Sequence, residues 1–196
     1  YKKESIDNLQ KTIFKTKELN KYFPNSKTPI LIVNIGGFTL DKQLDKSGRM
    51  ELYENFMDAL SQIDLEGIIF APQTMPPFPW HFGGQRYHNL FVYPEEILAI
   101  SQKLGLKICL DISHSMLACN YFGINFNKFI ESIAPFVCHI HIADASGIDG
   151  EGLQILQGEI NFKEISKILN KYSKSASFIP EIWQGHKNNG AGFWEL

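Results

Sequence analysis

The strongest constraint on this chain is a regular alternation between two kinds of segment. Short apolar runs that end in polar residues recur at "TPILIVNIGG" (28–37), "EGIIFAPQ" (66–73), "LKICLDISHS" (106–115), "VCHIHIADA" (137–145) and "ASFIPEIWQGH" (176–186). Stretches with helical spacing separate them. "ESIDNLQKTIFKTKELNKYF" carries Ile6, Leu9, Ile13 and Phe14, and "GRMELYENFMDALSQI" puts Tyr53, Phe56, Met57, Leu60 and Ile63 on one face. Pro94 opens "PEEILAISQKLG", Glu95 and Glu96 suit its first turn, and Gly105 ends it. "NFNKFIESIAPF" and "NFKEISKILNKY" read as helices, and "GAGFWEL" as the start of another. The apolar runs lack polar alternation, as in parallel strands covered on both faces. An α/β fold follows, either a (β/α) barrel or a doubly wound sheet.

The polar residues decide for the barrel. Asn34, Gln73, Asp111, His114, His141 and Glu181 all fall at the C-terminal ends of the runs, and a barrel brings those ends to one mouth. No Gly-rich dinucleotide fingerprint and no Walker loop is present. A complete (β/α)8 TIM barrel takes eight strands in about 250 residues. The expectation is therefore a single, incomplete TIM-barrel domain over residues 1–196, carrying strands four to eight, with the first three β/α units missing. The start, "YKKESIDNLQ", has no initiator Met and neither signal- nor transit-peptide character, which reads as a piece of a longer chain.

Composition excludes some partners. Lys+Arg number 19 against 21 Asp+Glu, net −2, with no block of like charge, so nothing favours nucleic acid. The apolar runs are too short to span a bilayer. Three cysteines, Cys109, Cys119 and Cys138, are odd in number and read as reduced thiols of a cytoplasmic protein.

Three strand exits carry chemistry. His139 and His141 share a face of their strand, with His141 nearer the mouth. "LDISH" offers Asp111 and His114, and "PEIWQGH" offers Glu181 and His186. Carboxylates and imidazoles from separate strands can hold a divalent cation with positions open for substrate. Each piece alone is weak: a lone strand histidine is usually a core residue, and Asp111 alone also fits a helix N-cap. Three such pieces at consecutive exits outweigh the bland reading.

The motifs "CLDISHS", "HIHIADASG…GEGLQILQGEINF" and "PEIWQGH" together resemble the xylose-isomerase-like TIM-barrel superfamily. That superfamily contains sugar-phosphate isomerases and epimerases and shares a fold with endonuclease IV. More narrowly, "PQTMPPFPWHFGGQRYHNLF" with "PEIWQGHKNNGAGFW" is similar to the barrel domain attached to sialic-acid-type synthases of nonulosonate pathways. The resemblance implies a metal set of Glu, Asp, His and Glu from strands five to eight. Asp111, His141 and Glu181 match the last three positions. His114 matches a substrate-contacting histidine. Gln73 stands where a Glu is expected, and Asn34 where many members have a His. The implied cofactor is a divalent metal (Mn, Co, Zn or Mg), with Glu181 and His114 as the catalytic pair and Gln73 as the remaining metal position.

Gln73 has physical consequences. Its oxygen can coordinate a metal, but it brings no charge and cannot shuttle a proton. An epimerase with two opposed glutamates loses one of them here. Three readings stay open: a one-base isomerisation with Glu181 as ligand or base and His114 as acid; sugar binding without turnover; or another group, Asp144 or Glu151, standing in. The loop 74–93 offers Trp80, His81, Gln85, Arg86 and His88, which combine flat faces and donors suited to a sugar, with Arg86 able to grip a phosphate or carboxylate. A rigid plug over the mouth is the competing view of that loop. His186 and Lys187 are further candidates for substrate, Asn34 and Asp144 are taken as pocket residues, and Trp183 as packing.

The leading expectation is a metal-dependent isomerase or epimerase of a sugar or sugar phosphate, in nonulosonate biosynthesis. Its rival is a catalytically silent sugar-binding or scaffolding domain of a larger enzyme. An abasic-site endonuclease lacks the basic surface and the ligand histidines. The expected partner is a small sugar, with a synthase domain or a second copy covering the exposed flank.

Overall fold

The computed structural model describes residues 2–81 and 84–194. Helix α1 (Lys2–Asn20) leads to β1 (Ile30–Val33), a two-residue β2 (Phe38–Thr39) and α2 (Lys46–Leu60). Strand β3 (Ile69–Pro72) enters the long loop, which carries the short β4 (Trp80–His81), β5 (Gly84–Gln85) and β6 (Tyr87–His88). Then come α3 (Pro94–Leu104), β7 (Ile108–Asp111), α4 (Ile112–Phe122) and α5 (Phe126–Ile133). The chain ends with β8 (Val137–Ile142), a hairpin of β9 (Asp144–Ser146) and β10 (Gly150–Leu153), α6 (Phe162–Tyr172), β11 (Ser177–Pro180) and α7 (Lys187–Trp194).

Five of these strands run parallel in chain order. β1 pairs with β3, β7 with β8, and β8 with β11. A parallel bridge from Gln73 to Cys109 joins β3 to β7, reinforced by the Thr74 N–H on the Cys109 carbonyl at 3.0 Å. The result is a run of consecutive barrel staves, β1-β3-β7-β8-β11, with helices outside. Ile108, Leu110, Ile97, Phe129, Ile130 and Ile133 are fully buried between staves and helices. The two ends of the run are less covered: on β11, Phe178 is 65% and Ile179 45% exposed.

Local signals set the helix ends. Pro94 occupies the first turn of α3, and Gly105 closes it in the left-handed region at φ 65°. Asp45, Asn125 and Asn161 cap α2, α5 and α6 by accepting the N–H groups of Gly48, Lys128 and Glu164. Between α2 and α3, the Arg49 guanidinium lies 2.7 Å from Glu96 and over the Tyr93 ring at 3.9 Å, with both charged side chains nearly buried.

The structure departs from the sequence reading in the segment after β7. "ISHSMLACNYF" is helix α4, which periodicity did not reveal. Its Ile112, Ser113, Ser115, Leu117, Ala118 and Cys119 are all buried, so it has no polar face to mark a helical period. The hairpin β9–β10 likewise starts at the end of the run 137–145 and continues through a stretch to which the sequence assigned no element. All three cysteines are free thiols, and burial pushes Cys119 up to about 12 and Cys138 up to about 11. Among the described residues no helix is long and apolar enough to cross a membrane.

Candidate metal centre and pocket

The mouth is built from the last residues of the staves. Asp111 ends β7 and also caps α4. Its Oδ1 accepts the His114 N–H at 2.9 Å and the Ser113 hydroxyl at 2.9 Å, which leaves Oδ2 facing the barrel axis. The peptide of Asp111 is clamped by Thr74, whose hydroxyl accepts the Asp111 N–H at 2.9 Å. His141 lies beside it on β8, because Asp111 and His141 are register partners. Glu181 follows β11, its N–H bonded to the Ile142 carbonyl at 2.9 Å.

These side chains converge. His141 Nδ1 lies 2.6 Å from Glu181 Oε2 and 3.6 Å from Asp111 Oδ2. One ligand atom from each of Asp111, His141 and Glu181 falls within 4.8 Å of the others. Ligands about 2.1 Å from a common ion sit about 3–4 Å apart, so the trio fits one divalent cation. Gln73 joins it, buried, with Nε2 2.9 Å from Asp111 Oδ2 and 3.1 Å from His141 Nδ1. The orientation of an amide is set by its network. Turned over, Gln73 would present its oxygen to a cation alongside Asp111 and His141. Burial opposes charge on His141, but its hydrogen bonds to Asp111, Cys109 and Glu181 outweigh burial and hold its pKa well above the ordinary imidazole value. Burial would raise Asp111, yet His114 and His141 hold its carboxyl low.

A cavity of about 350 Å³ opens over the trio, lined by Asp111, His114, Glu151, Glu181, Trp183 and His186 among others. His114 Nδ1 sits 3.0 Å from the Thr74 carbonyl, which fixes the proton on Nδ1, and Nε2 lies 3.5 Å from Glu151 Oε2. Glu151 reaches the cavity from β10. Burial raises its pKa, and Asp111 and Glu181 raise it further while His114 opposes.

The other sequence candidates are scattered. His186 lines the cavity, whereas Lys187 begins α7 exposed to solvent and is not part of the lining. Asn34 is exposed and lines a separate cavity between α1 and α2, with Leu9 and Phe56. Arg86 faces another small cavity with Phe78, Tyr87, Ile148 and Asp149. His88 is 1% exposed on β6, which pairs with β2, so it lies inside the protein and not on the pocket wall. Asp144 is fully buried and accepts the N–H groups of Ala145, Gly158 and Ile160 at 2.9, 2.9 and 3.0 Å; it anchors the hairpin and does not line the pocket. Trp183, read as packing, is 70% exposed and lines the cavity, because its backbone is tied to the hairpin and its ring is left outside. The side chains of Trp80, His81 and Gln85 lie outside the described residues. His139 bonds Ser177 Oγ through Nδ1 at 2.7 Å and packs edge-on against His141, one layer below the trio. Thr74 went unnoticed in the sequence. Its position directly after Gln73, at a strand exit, was the available signal.

Parallel staves, outer helices and a carboxylate–imidazole cluster at the C-terminal mouth define the class of fold, an α/β barrel. The chain belongs to the xylose isomerase-like TIM barrel family, whose pattern matches residues 1–193. It is 30% identical over 128 residues to the uncharacterised protein MJ1311 of Methanocaldococcus jannaschii, covering 62% of this chain and 40% of that protein. Among solved structures it resembles a D-tagatose 3-epimerase-like protein (TM-score 0.66, 24% identity, 92% of this chain and 62% of that one). It also resembles the probable 3-DHS dehydratase AsbF of Bacillus anthracis (TM-score 0.61, 18% identity, 95% of this chain and 69% of that one). The chain thus spans less than two thirds of MJ1311 and of the epimerase-like protein.

Proposed function

We propose that this chain provides the metal-bearing mouth of an isomerase or epimerase acting on a sugar or sugar phosphate. The observation that carries the reading is the convergence of Asp111, His141 and Glu181 beneath a cavity of about 350 Å³. That volume is at the small end of ligand pockets and suits one monosaccharide. Asp111, His141 and Glu181, with the amide oxygen of Gln73, would hold the ion (Mn, Co, Zn or Mg). A cation bound there would polarise a substrate carbonyl and its neighbouring hydroxyl.

The remaining chemistry belongs to the chain. Glu181, half-exposed beside the cavity, accepts a proton from the carbon next to the carbonyl. His114, its proton fixed on Nδ1, offers Nε2 to a substrate hydroxyl. Trp183 gives an apolar face to the sugar ring, and Gln184 and His186 supply polar contacts at the rim. In this reading the five staves take the places of strands four to eight of an eight-stranded barrel. The motif resemblance supports a role in nonulosonate sugar biosynthesis beside a synthase domain, and the three free cysteines support a cytoplasmic setting.

Gln73 favours a second reading, a sugar-binding domain that does not turn its ligand over, because the amide adds neither charge nor a titratable proton to the site. One experiment separates the two. The Mn²⁺-loaded chain is incubated with D-fructose, D-tagatose and their phosphates in D₂O and followed by proton NMR. Deuterium entering beside the carbonyl supports the isomerase reading; saturable binding without exchange supports the silent one.

A further inference from the structure

Gln73 leaves the centre without a titratable group at one stave, and the segment after β8 holds the two carboxylates that the sequence offered as stand-ins, Asp144 and Glu151. Asp144 is excluded, since both its oxygens are engaged by the buried N–H groups of Ala145, Gly158 and Ile160. Glu151 is placed differently. It lines the cavity together with Glu181, its side chain is 30% exposed, and its carboxylate lies 3.5 Å from His114 Nε2. The Thr74 carbonyl engages His114 Nδ1 at 3.0 Å, so the other ring nitrogen, Nε2, is the one turned towards Glu151.

The hairpin that presents Glu151 is held at several points. Asp144 ties its base. The Glu159 carboxylate accepts from the Gly147 N–H, the Ser146 hydroxyl and the Asn120 amide at 3.2, 3.2 and 3.0 Å. The Gly152 carbonyl accepts the Trp183 N–H at 2.7 Å. Gly152 has φ 70°, and a Cβ there would stand 3.0 Å from the Trp183 Cβ and 3.1 Å from its nitrogen. The residue next to Glu151 is therefore confined to glycine by both conformation and space. Glu151 is aimed into the pocket by a docked element and is not a side chain on a free loop. Burial pushes the Glu151 pKa up, and the Asp111 and Glu181 carboxylates push it the same way while His114 opposes them.

We propose that Glu151, steadied by His114, is the second proton-transfer group of this pocket and takes the part that Gln73 cannot play. The inference rests on the isomerase or epimerase reading above. In the first half-reaction the substrate C–H bond breaks, its electron pair passes into an enediolate, and the proton forms an O–H bond on Glu181. In the second, the Glu151 O–H bond breaks and a new C–H bond forms from the direction of the hairpin. Exchange with solvent then strips the proton from Glu181 and restores it to Glu151.

The test uses the full chain loaded with Mn²⁺, D-fructose and D-tagatose as probes, and proton NMR in D₂O. Glu151→Gln keeps the size and the hydrogen-bonding reach but carries no transferable proton. Conversion to epimer or isomer is expected to fall about 10²-fold or more, the scale of a lost general acid. Deuterium should still enter at the carbon served by Glu181, and sugar affinity and melting temperature should be unchanged. Glu151→Asp should recover part of the conversion. Conversion by Glu151→Gln within about threefold of wild type overturns the proposal, because a lost general acid costs far more than that. So does a loss of exchange, conversion and sugar affinity together, which would mark a purely positional role. A wild-type protein that neither exchanges nor converts any of the sugars overturns the functional reading itself and this inference with it, so the two failures are told apart.

Discussion

Gln73 governs how the centre meets a cation. Its Nε2 donates to Asp111 Oδ2 at 2.9 Å, so an amide donor supports the carboxylate there. Gln73→Glu puts a carboxylate against that oxygen. The metal-free variant should melt at a lower temperature than wild type, and it should bind Mn²⁺ more tightly by at least about tenfold, the scale on which even the neighbours of a ligand act. Calorimetric titration of both proteins checks this; equal affinities would show that residue 73 does not reach the ion. His141 adds a pH dependence. Its pKa is raised above the usual 6.5 by Asp111, Cys109 and Glu181, so it is protonated in the metal-free protein at neutral pH. A cation needs the neutral ring and must displace that proton. Mn²⁺ affinity should therefore fall as pH falls, and calorimetry in buffers of different ionisation enthalpy should report proton release on binding. The trio itself was legible in sequence because strand-exit position is a strong constraint in a barrel. The fates of His88 and Asp144 were not, since burial and backbone satisfaction depend on how the loop 74–93 and the hairpin pack.

Between β8 and α6 the element that matters most to the site is the β9–β10 hairpin, and it had no readable period. Its stability comes from side chains on backbone amides, not from strand alternation. Asp144→Ala leaves buried N–H groups at Ala145, Gly158 and Ile160 unpaired, which should destabilise the fold by about 3 kcal/mol or more. Urea denaturation measures this, and a change under about 0.5 kcal/mol, the size of an ordinary surface substitution, would show that the hairpin is not anchored there. The pair α2–α3 behaves likewise. Glu96→Ala strands the Arg49 guanidinium in a nearly buried position and should cost about 3–5 kcal/mol. Helix α3 was readable from Pro94, its acidic first turn and Gly105, all of which are local signals. Helix α4 was not, because a helix buried on most sides has no polar stripe. Its local signals were Gly123, which closes it in the left-handed region at φ 67°, and Asp111, whose capping role was masked by its chemical one.

At the scale of the molecule, five parallel staves converge on one mouth while the outer staves β1 and β11 each pair on one side among the described residues. Exposed Phe178 and Ile179 on β11 make that edge adhesive. The 196-residue chain on its own should self-associate, and light scattering showing a monodisperse monomer would contradict this. The alternation of apolar runs was enough to identify a parallel α/β fold, and the polar residues at the strand exits turned that into a barrel, because only a barrel brings those ends to one mouth. Stave-to-stave register, which sets Asp111 beside His141, emerged only in three dimensions. The central claim is that this convergence is a metal centre. The most direct measurement is electron paramagnetic resonance of free Mn²⁺ during titration of the wild-type chain and of His141→Gln. The account predicts uptake of one ion per wild-type chain, with the free signal suppressed up to that ratio, and little or no uptake by the variant. A free signal that rises from the first addition in the wild type, or equal uptake by both proteins, would contradict it.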